Sequence, residues 1–166
     1  MAHVIASTIW GPLMAGGIIA LMGAAFGAVL NRWLERSGRL YVNAEAVSQA
    51  FLAPDSYGSM SVSDDPGSAQ GARFTCRLLF YNDAATARGL RSLQLQFCTD
   101  RKRLFAKSPE TTEVTLTPRS WTTHSVNITL DAADAQRLVR CDRVVLRAEW
   151  PNGKVQRWPI ATLSES

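Results

Sequence analysis

Hydrophobic and polar residues follow two different patterns, and the change falls near residue 38. Residues 4–30 read VIASTIWGPLMAGGIIALMGAAFGAVL without one Asp, Glu, Lys or Arg. A helix needs about 20 mostly apolar residues to cross the hydrocarbon core of a bilayer, so this run predicts a membrane-spanning helix. From residue 40 onward apolar and polar residues alternate with period two, the signature of strands with one buried face. Leu40, Val42, Ala44 and Ala46 form the apolar set of the first strand. Residues 73–82 are the clearest case, with Phe74, Cys76, Leu78 and Phe80 on one side and Arg73, Thr75, Arg77 and Tyr81 on the other. The pattern returns in residues 91–98, 113–117, 124–130, 142–150 and 154–160. Residues 53–72 form a long polar loop with room for a short strand at Met60–Ser63. Residues 131–139 (DAADAQRLV) form one short helical turn behind an Asp cap. Pro151-Asn152-Gly153 is a hairpin turn, because Asn-Gly readily takes the positive φ that such turns need.

Six or seven short strands separated by turns, with no strand–helix–strand alternation, predict an antiparallel two-sheet β-sandwich. The expected fold class is therefore mainly β: a single N-terminal transmembrane helix followed by the sandwich. The expected division is 1–38 for the helix with its juxtamembrane end, 39–162 for the sandwich and 163–166 for a tail. The block FTCRLLFYNDAATARGLRSLQLQF resembles the central strand pair of immunoglobulin-like or fibronectin type III-like sandwiches. The short helical turn DAADAQRL before the strand at 142–150 is similar to the connection between the fifth and sixth strands of those domains. The resemblance covers roughly residues 40–160, rests on a strand pattern, and implies a fold rather than an activity.

Within the apolar run, Trp10 and Trp33 lie about 34 Å apart along a helix, a separation suited to rings at the two headgroup levels. Gly23 and Gly27, with Gly16 on a neighbouring row, make a small-residue face that would permit self-association or pairing with another helix. Arg32, Arg36 and Arg39 follow the run, whereas only His3 precedes it. The excess of positive charge places the N-terminus outside and the β-domain in the cytoplasm of a cell with an inner membrane, with a periplasmic β-domain as the alternative. It also makes these three arginines candidates for lipid headgroup contact. The formal net charge is +4, but from Leu40 onward 15 basic residues face 13 acidic ones. So nearly balanced a body implies no nucleic-acid partner.

Candidate chemistry is sparse. Cys76, Cys98 and Cys141 are an odd set. Cys141 shares the phase of Arg143 and Arg147 and should point away from the core, so all three read as free thiols. No two Cys or His residues of the domain lie close enough in sequence for a zinc motif, and no cofactor or metal is expected. Asp64-Asp65 lacks the spacing of a calcium loop, and the glycines do not form a phosphate loop. His124 stands at the start of its strand, where exposure is expected, and no catalytic residues are assigned. Trp121, if exposed, is a candidate partner surface, and so is the basic turn with Arg101, Lys102 and Arg103. The function these features favour is a single-pass, membrane-anchored β-sandwich for protein–protein interaction, a non-catalytic part of a membrane-associated complex. The alternative is an envelope-facing domain that binds carbohydrate or an envelope protein.

Overall fold

A computed structural model describes residues 38–100 and 102–163. Among the described residues nine strands form two antiparallel sheets. The first has the order β2-β1-β3-β7, from β1 (Leu40–Pro54), β2 (Met60–Ser63), β3 (Gly71–Asn82) and β7 (Ser120–Asp131). The second has the order β5-β4-β8-β9, from β4 (Arg88–Cys98), β5 (Arg103–Lys107), β8 (Arg143–Glu149) and β9 (Val155–Thr162), with β6 (Val114–Leu116) paired to β4. A seven-residue helix, α1 (Ala132–Leu138), joins β7 to β8 and so carries the chain from one sheet to the other.

Alternation builds the core. Ala72, Phe74, Cys76, Leu78 and Phe80 of β3 are buried, as are Leu93, Leu95 and Phe97 of β4 and Val144, Leu146 and Ala148 of β8. The sheets meet through aromatic rings. Phe97 of the second sheet sits edge-on to Phe74 of the first at 5.1 Å and stacks on Phe105 at 4.5 Å. Such pairs add to the burial of their ring area, the dominant favourable term in a core of this kind.

Most sequence expectations meet a strand within a few residues, and the departures have physical causes. In β1 the phase changes at a bulge between Glu45 and Ser48, where Ala46 takes φ 48°. Ala46 is exposed rather than inward, and beyond the bulge Val47 and then every residue from Gln49 to Ala53 are part-buried. The expected 53–72 loop is a hairpin and a short 3-10 turn: β2 folds back on β1, and Asp55 Oδ1 accepts bonds from the Tyr57 and Ser59 N–H groups. Asp65 caps the following turn at Pro66–Ser68 by accepting from Gly67 N at 2.9 Å. Arg103, expected in a basic turn over 100–103, instead opens strand β5, which runs on to Lys107. Pro159 lies in β9, an edge strand, where its missing N–H costs no ladder bond.

The membrane architecture needs correction. Among the described residues no helix is long and apolar enough to cross a membrane. Helix α1 spans about 10 Å at 1.5 Å per residue, against the roughly 30 Å of a hydrocarbon core. The expected fold class of a transmembrane helix plus sandwich is replaced by a mainly β fold of two antiparallel sheets. The single-pass, inner-membrane placement, with its cytoplasmic and periplasmic versions, loses its support. The run at 4–30, with Trp10, Gly16, Gly23 and Gly27, lies outside the described residues, as do Arg32, Trp33 and Arg36.

Candidate functional site

Strand register brings three aromatic residues into one row across the outer face of the first sheet. Tyr41 of β1 pairs with Tyr81 of β3, and Tyr81 pairs with Trp121 of β7. Ring centroids are 6.3 Å apart for Tyr41–Tyr81 and 5.1 Å for Tyr81–Trp121. The inward phase of these strands is taken by Leu40, Val42, Phe80 and Asn82, so the three rings face solvent. Trp121 is 61% exposed and Tyr41 50%. Single exposed apolar residues are ordinary on a protein surface, but a contiguous row of large rings is a feature of interaction faces.

Beside this row lies a cleft of about 630 Å³, where the start of β1, the segment leading into β4 and the β8–β9 hairpin converge. The backbone packs closely here: a Cβ on Gly38 would sit 2.3 Å from Ala84 Cα, so position 38 has room only for glycine. Asn82 fastens the same end. Its buried Nδ2 donates to the carbonyls of Thr86 (3.0 Å), Leu116 (3.4 Å) and Thr117 (3.1 Å), and its Oδ1 accepts from Ala84 N (3.1 Å). The cleft wall is a chain of contacts. Arg88 Nη1 donates to Gly38 O at 2.7 Å, its guanidinium lies 5.6 Å from the centre of the Trp150 ring, and Trp150 Nε1 donates to Gln156 Oε1 at 3.0 Å. Arg39 and Lys154 also line the cleft, as does Tyr41, which thereby belongs to both features.

The opposite end of the molecule is closed by charge pairing. Lys107 of β5 meets Asp134 at 2.7 Å and Asp131 at 3.7 Å, and Arg137 meets Asp134 at 3.2 Å. Asp131 caps α1 by accepting from Asp134 N at 2.9 Å. That bond, with the Lys107 charge beside it, holds the Asp131 carboxyl below its usual range. The Asp134 carboxylate raises Lys107 in turn.

The sequence-derived candidates are thus divided. Trp121 is exposed and belongs to the aromatic row. Lys102 and Arg103 are exposed at the β4–β5 turn, near Asp100 and Asp142, at the helix-capped end. Ten residues of strand separate the level of Trp121 from that of Asp131, about 33 Å at 3.3 Å per residue. The structure therefore does not bring Trp121 together with Lys102 and Arg103. Arg101 lies outside the described residues. Arg39, expected at a lipid headgroup, lines the cleft. Tyr41, Tyr81 and Trp150 went unrecognised as site residues. The outward phase of Tyr81 was visible in its strand, but not the register that aligns it with the other two rings.

His124 differs from expectation. It lies in mid-strand on the inward phase of β7 and is half-buried, with Nε2 enclosed and without a partner. Burial pushes its pKa down, against a bond with the Thr111 backbone that pushes it up. Cys141 is also corrected: it lies in the turn before β8, so strand phase does not govern it. It is buried, with its thiol on the carbonyls of Cys98 (3.3 Å) and Arg143 (3.2 Å). All three cysteines are free, and burial pushes the Cys76 and Cys141 thiols up to about 11, which leaves them protonated and unreactive at neutral pH. Among the described residues no group of three or more His, Cys, Asp or Glu is placed to hold a metal ion.

No protein-family model matches the sequence, and no curated protein does either. Among solved structures, the chain is similar to a crystal structure of a putative ApaA protein from Bordetella pertussis, at 14% identity and a TM-score of 0.40, over 76% of this chain and 91% of that one. It is also similar to the X-ray structure of the structural-genomics target SoR45, at 13% identity and a TM-score of 0.36, over 78% of this chain and 86% of that one. At such scores the likeness carries no argument about function. The antiparallel β architecture stands on the pairing of the chain's own strands.

Proposed function

We propose that this chain is a non-catalytic β-sandwich module that binds a protein partner through the face carrying Tyr41, Tyr81 and Trp121. The observation that carries the reading is the aligned, solvent-facing row itself. Exposing large rings to water is unfavourable, at about 25 cal/mol for each Å² of apolar surface, and covering them on association recovers that free energy. Tyr and Trp also present a large contact area with few rotors to immobilise, which suits a binding face. His124 points inward from β7 and lines neither the cleft nor the row, which favours binding over hydrolytic chemistry.

We further infer that the sandwich is immunoglobulin-like or fibronectin type III-like. Support comes from strand order. β1, β3 and β7 are neighbours in one sheet and β4, β8 and β9 in the other, and the chain crosses between the sheets from β3 to β4, from β6 to β7 and from β7 through α1 to β8. The test of function is capture from the native cell with tagged full-length chain and quantitative identification of what accompanies it. Trp121→Ser combined with Tyr41→Ser should deplete at least one specific companion about ten-fold, equivalent to roughly 1.4 kcal/mol. Lys102→Ala combined with Arg103→Ala should not. An unchanged set of companions in the aromatic double variant would sink the proposal.

A further inference from the structure

The cleft beside the aromatic row carries an unusual balance of charge. Among the described residues Arg39, Arg88 and Lys154 line it, and no Asp or Glu does. Arg39 and Lys154 make no ion pair among the described residues. Two cations lining one cleft without an acid among the described residues favour an anion beside them.

The third element is a ring held in place. Trp150 is fixed on one side by its Nε1 bond to Gln156 and on another by the Arg88 guanidinium, which is itself tied to Gly38 O. A Trp so fixed loses little freedom when a flat ligand packs against it, and Tyr41 adds a second aromatic group at the margin. At about 630 Å³ the cleft lies within the usual size range of small-molecule sites.

We infer that this cleft binds a small organic anion bearing a flat ring, the chemistry of a nucleoside monophosphate. Arg39 and Lys154 receive the anion and the Trp150–Tyr41 side receives the ring. Lys154 acts as a mobile point charge on the hairpin, whereas the Arg39 guanidinium can present paired donors to phosphate or carboxylate oxygens. Arg88 serves as a positioning residue, acting through Trp150.

The experiment follows backbone and indole N–H signals of the full-length, ¹⁵N-labelled chain by NMR, with three probes: adenosine 5′-monophosphate, adenosine and inorganic phosphate. The monophosphate should shift Gly89, Lys154 and the Trp150 indole saturably. Adenosine alone and phosphate alone should each bind at least about ten-fold more weakly, the equivalent of one charge-assisted contact. Arg39→Ala with Lys154→Ala should weaken the monophosphate about ten-fold or more, and added salt should weaken it further. Trp121→Ser should leave it unchanged. Both cations are on the surface, so the double variant should keep its remaining spectrum, and Lys154→Glu provides a second test of the charge requirement. The inference is overturned if 10 mM monophosphate leaves these signals in place, if phosphate alone binds equally well, or if the charge variants bind undiminished, ten-fold being the resolvable difference.

Discussion

The two ends of the sandwich treat charge and aromatic surface in opposite ways. At the helix-capped end, Lys107, Asp131, Asp134 and Arg137 satisfy one another, and Asp131 also caps α1. These four side chains are taken up with one another, and their electrostatics join β5 to α1. At the other end Asn82 satisfies its own amide, but the surface above it is not so closed: Arg39 and Lys154 make no ion pair among the described residues, and the rings of Tyr41 and Trp121 lie open to water beside the part-exposed Tyr81. The difference shows where the fold spends its polar groups on itself and where it leaves them for something outside. A charge cluster by itself says little about function, because the pairing around it decides.

Substitutions at the two ends should separate these roles. The largest effect should come from Asn82→Asp. The change removes the donors to three carbonyls and sets carboxylate oxygens against them in a fully buried site, at a cost of about 3–5 kcal/mol. Urea unfolding should report it as a lower midpoint, and an unchanged midpoint would show that the cleft end is not fastened there. Next comes Asp134→Ala at the closed end, which leaves Lys107 without its nearest partner and should cost about 1–3 kcal/mol in the same measurement. Ligand and partner binding at the far end should be unaffected.

A smaller effect should appear as a pH dependence. His124 has a folded pKa below its unfolded value near 6.5. The unfolded chain therefore binds the proton first as the pH falls. The stability contributed by keeping the imidazole neutral is fully present above about pH 6.5 and is lost as the pH falls through the folded pKa. His124→Gln should flatten the stability profile below pH 6.5 relative to the parent; two parallel profiles would contradict this account. The smallest effect on stability belongs to Trp121→Ser. A solvent-facing ring on an outer sheet face should cost no more than about 0.5 kcal/mol, even though the same change, combined with Tyr41→Ser, is expected to deplete a captured partner. A large loss of stability would make Trp121 a structural residue rather than a contact residue.

What could be read from the sequence follows from what sets each feature. The inward phases of β3, β4 and β8 are local, so alternation revealed them, and the Asp-capped turn that became α1 carried its own signal. The change of phase in β1 depends on one residue, Ala46, adopting a positive φ, and alternation alone does not announce it. β5 was hidden because RLFAK follows a run of charges and shows only Leu104 and Phe105 as a short apolar pair. His124 was misjudged because β7 begins four residues earlier than its apolar residues suggested. The aromatic row and the cleft were out of reach for another reason. Each assembles residues from three segments that are distant in the chain, and only register and the meeting of two sheets place them together.

Tyr41 stands in both the row and the wall of the cleft. A ring that belongs to two surfaces cannot be fixed for one without being fixed for the other. If filling the cleft alters the hold of the row on a partner by some factor, the partner must alter the hold of the cleft on its ligand by the same factor. One tyrosine on an edge of the first sheet would then make two binding events answer to each other, and Tyr41→Ala would uncouple them.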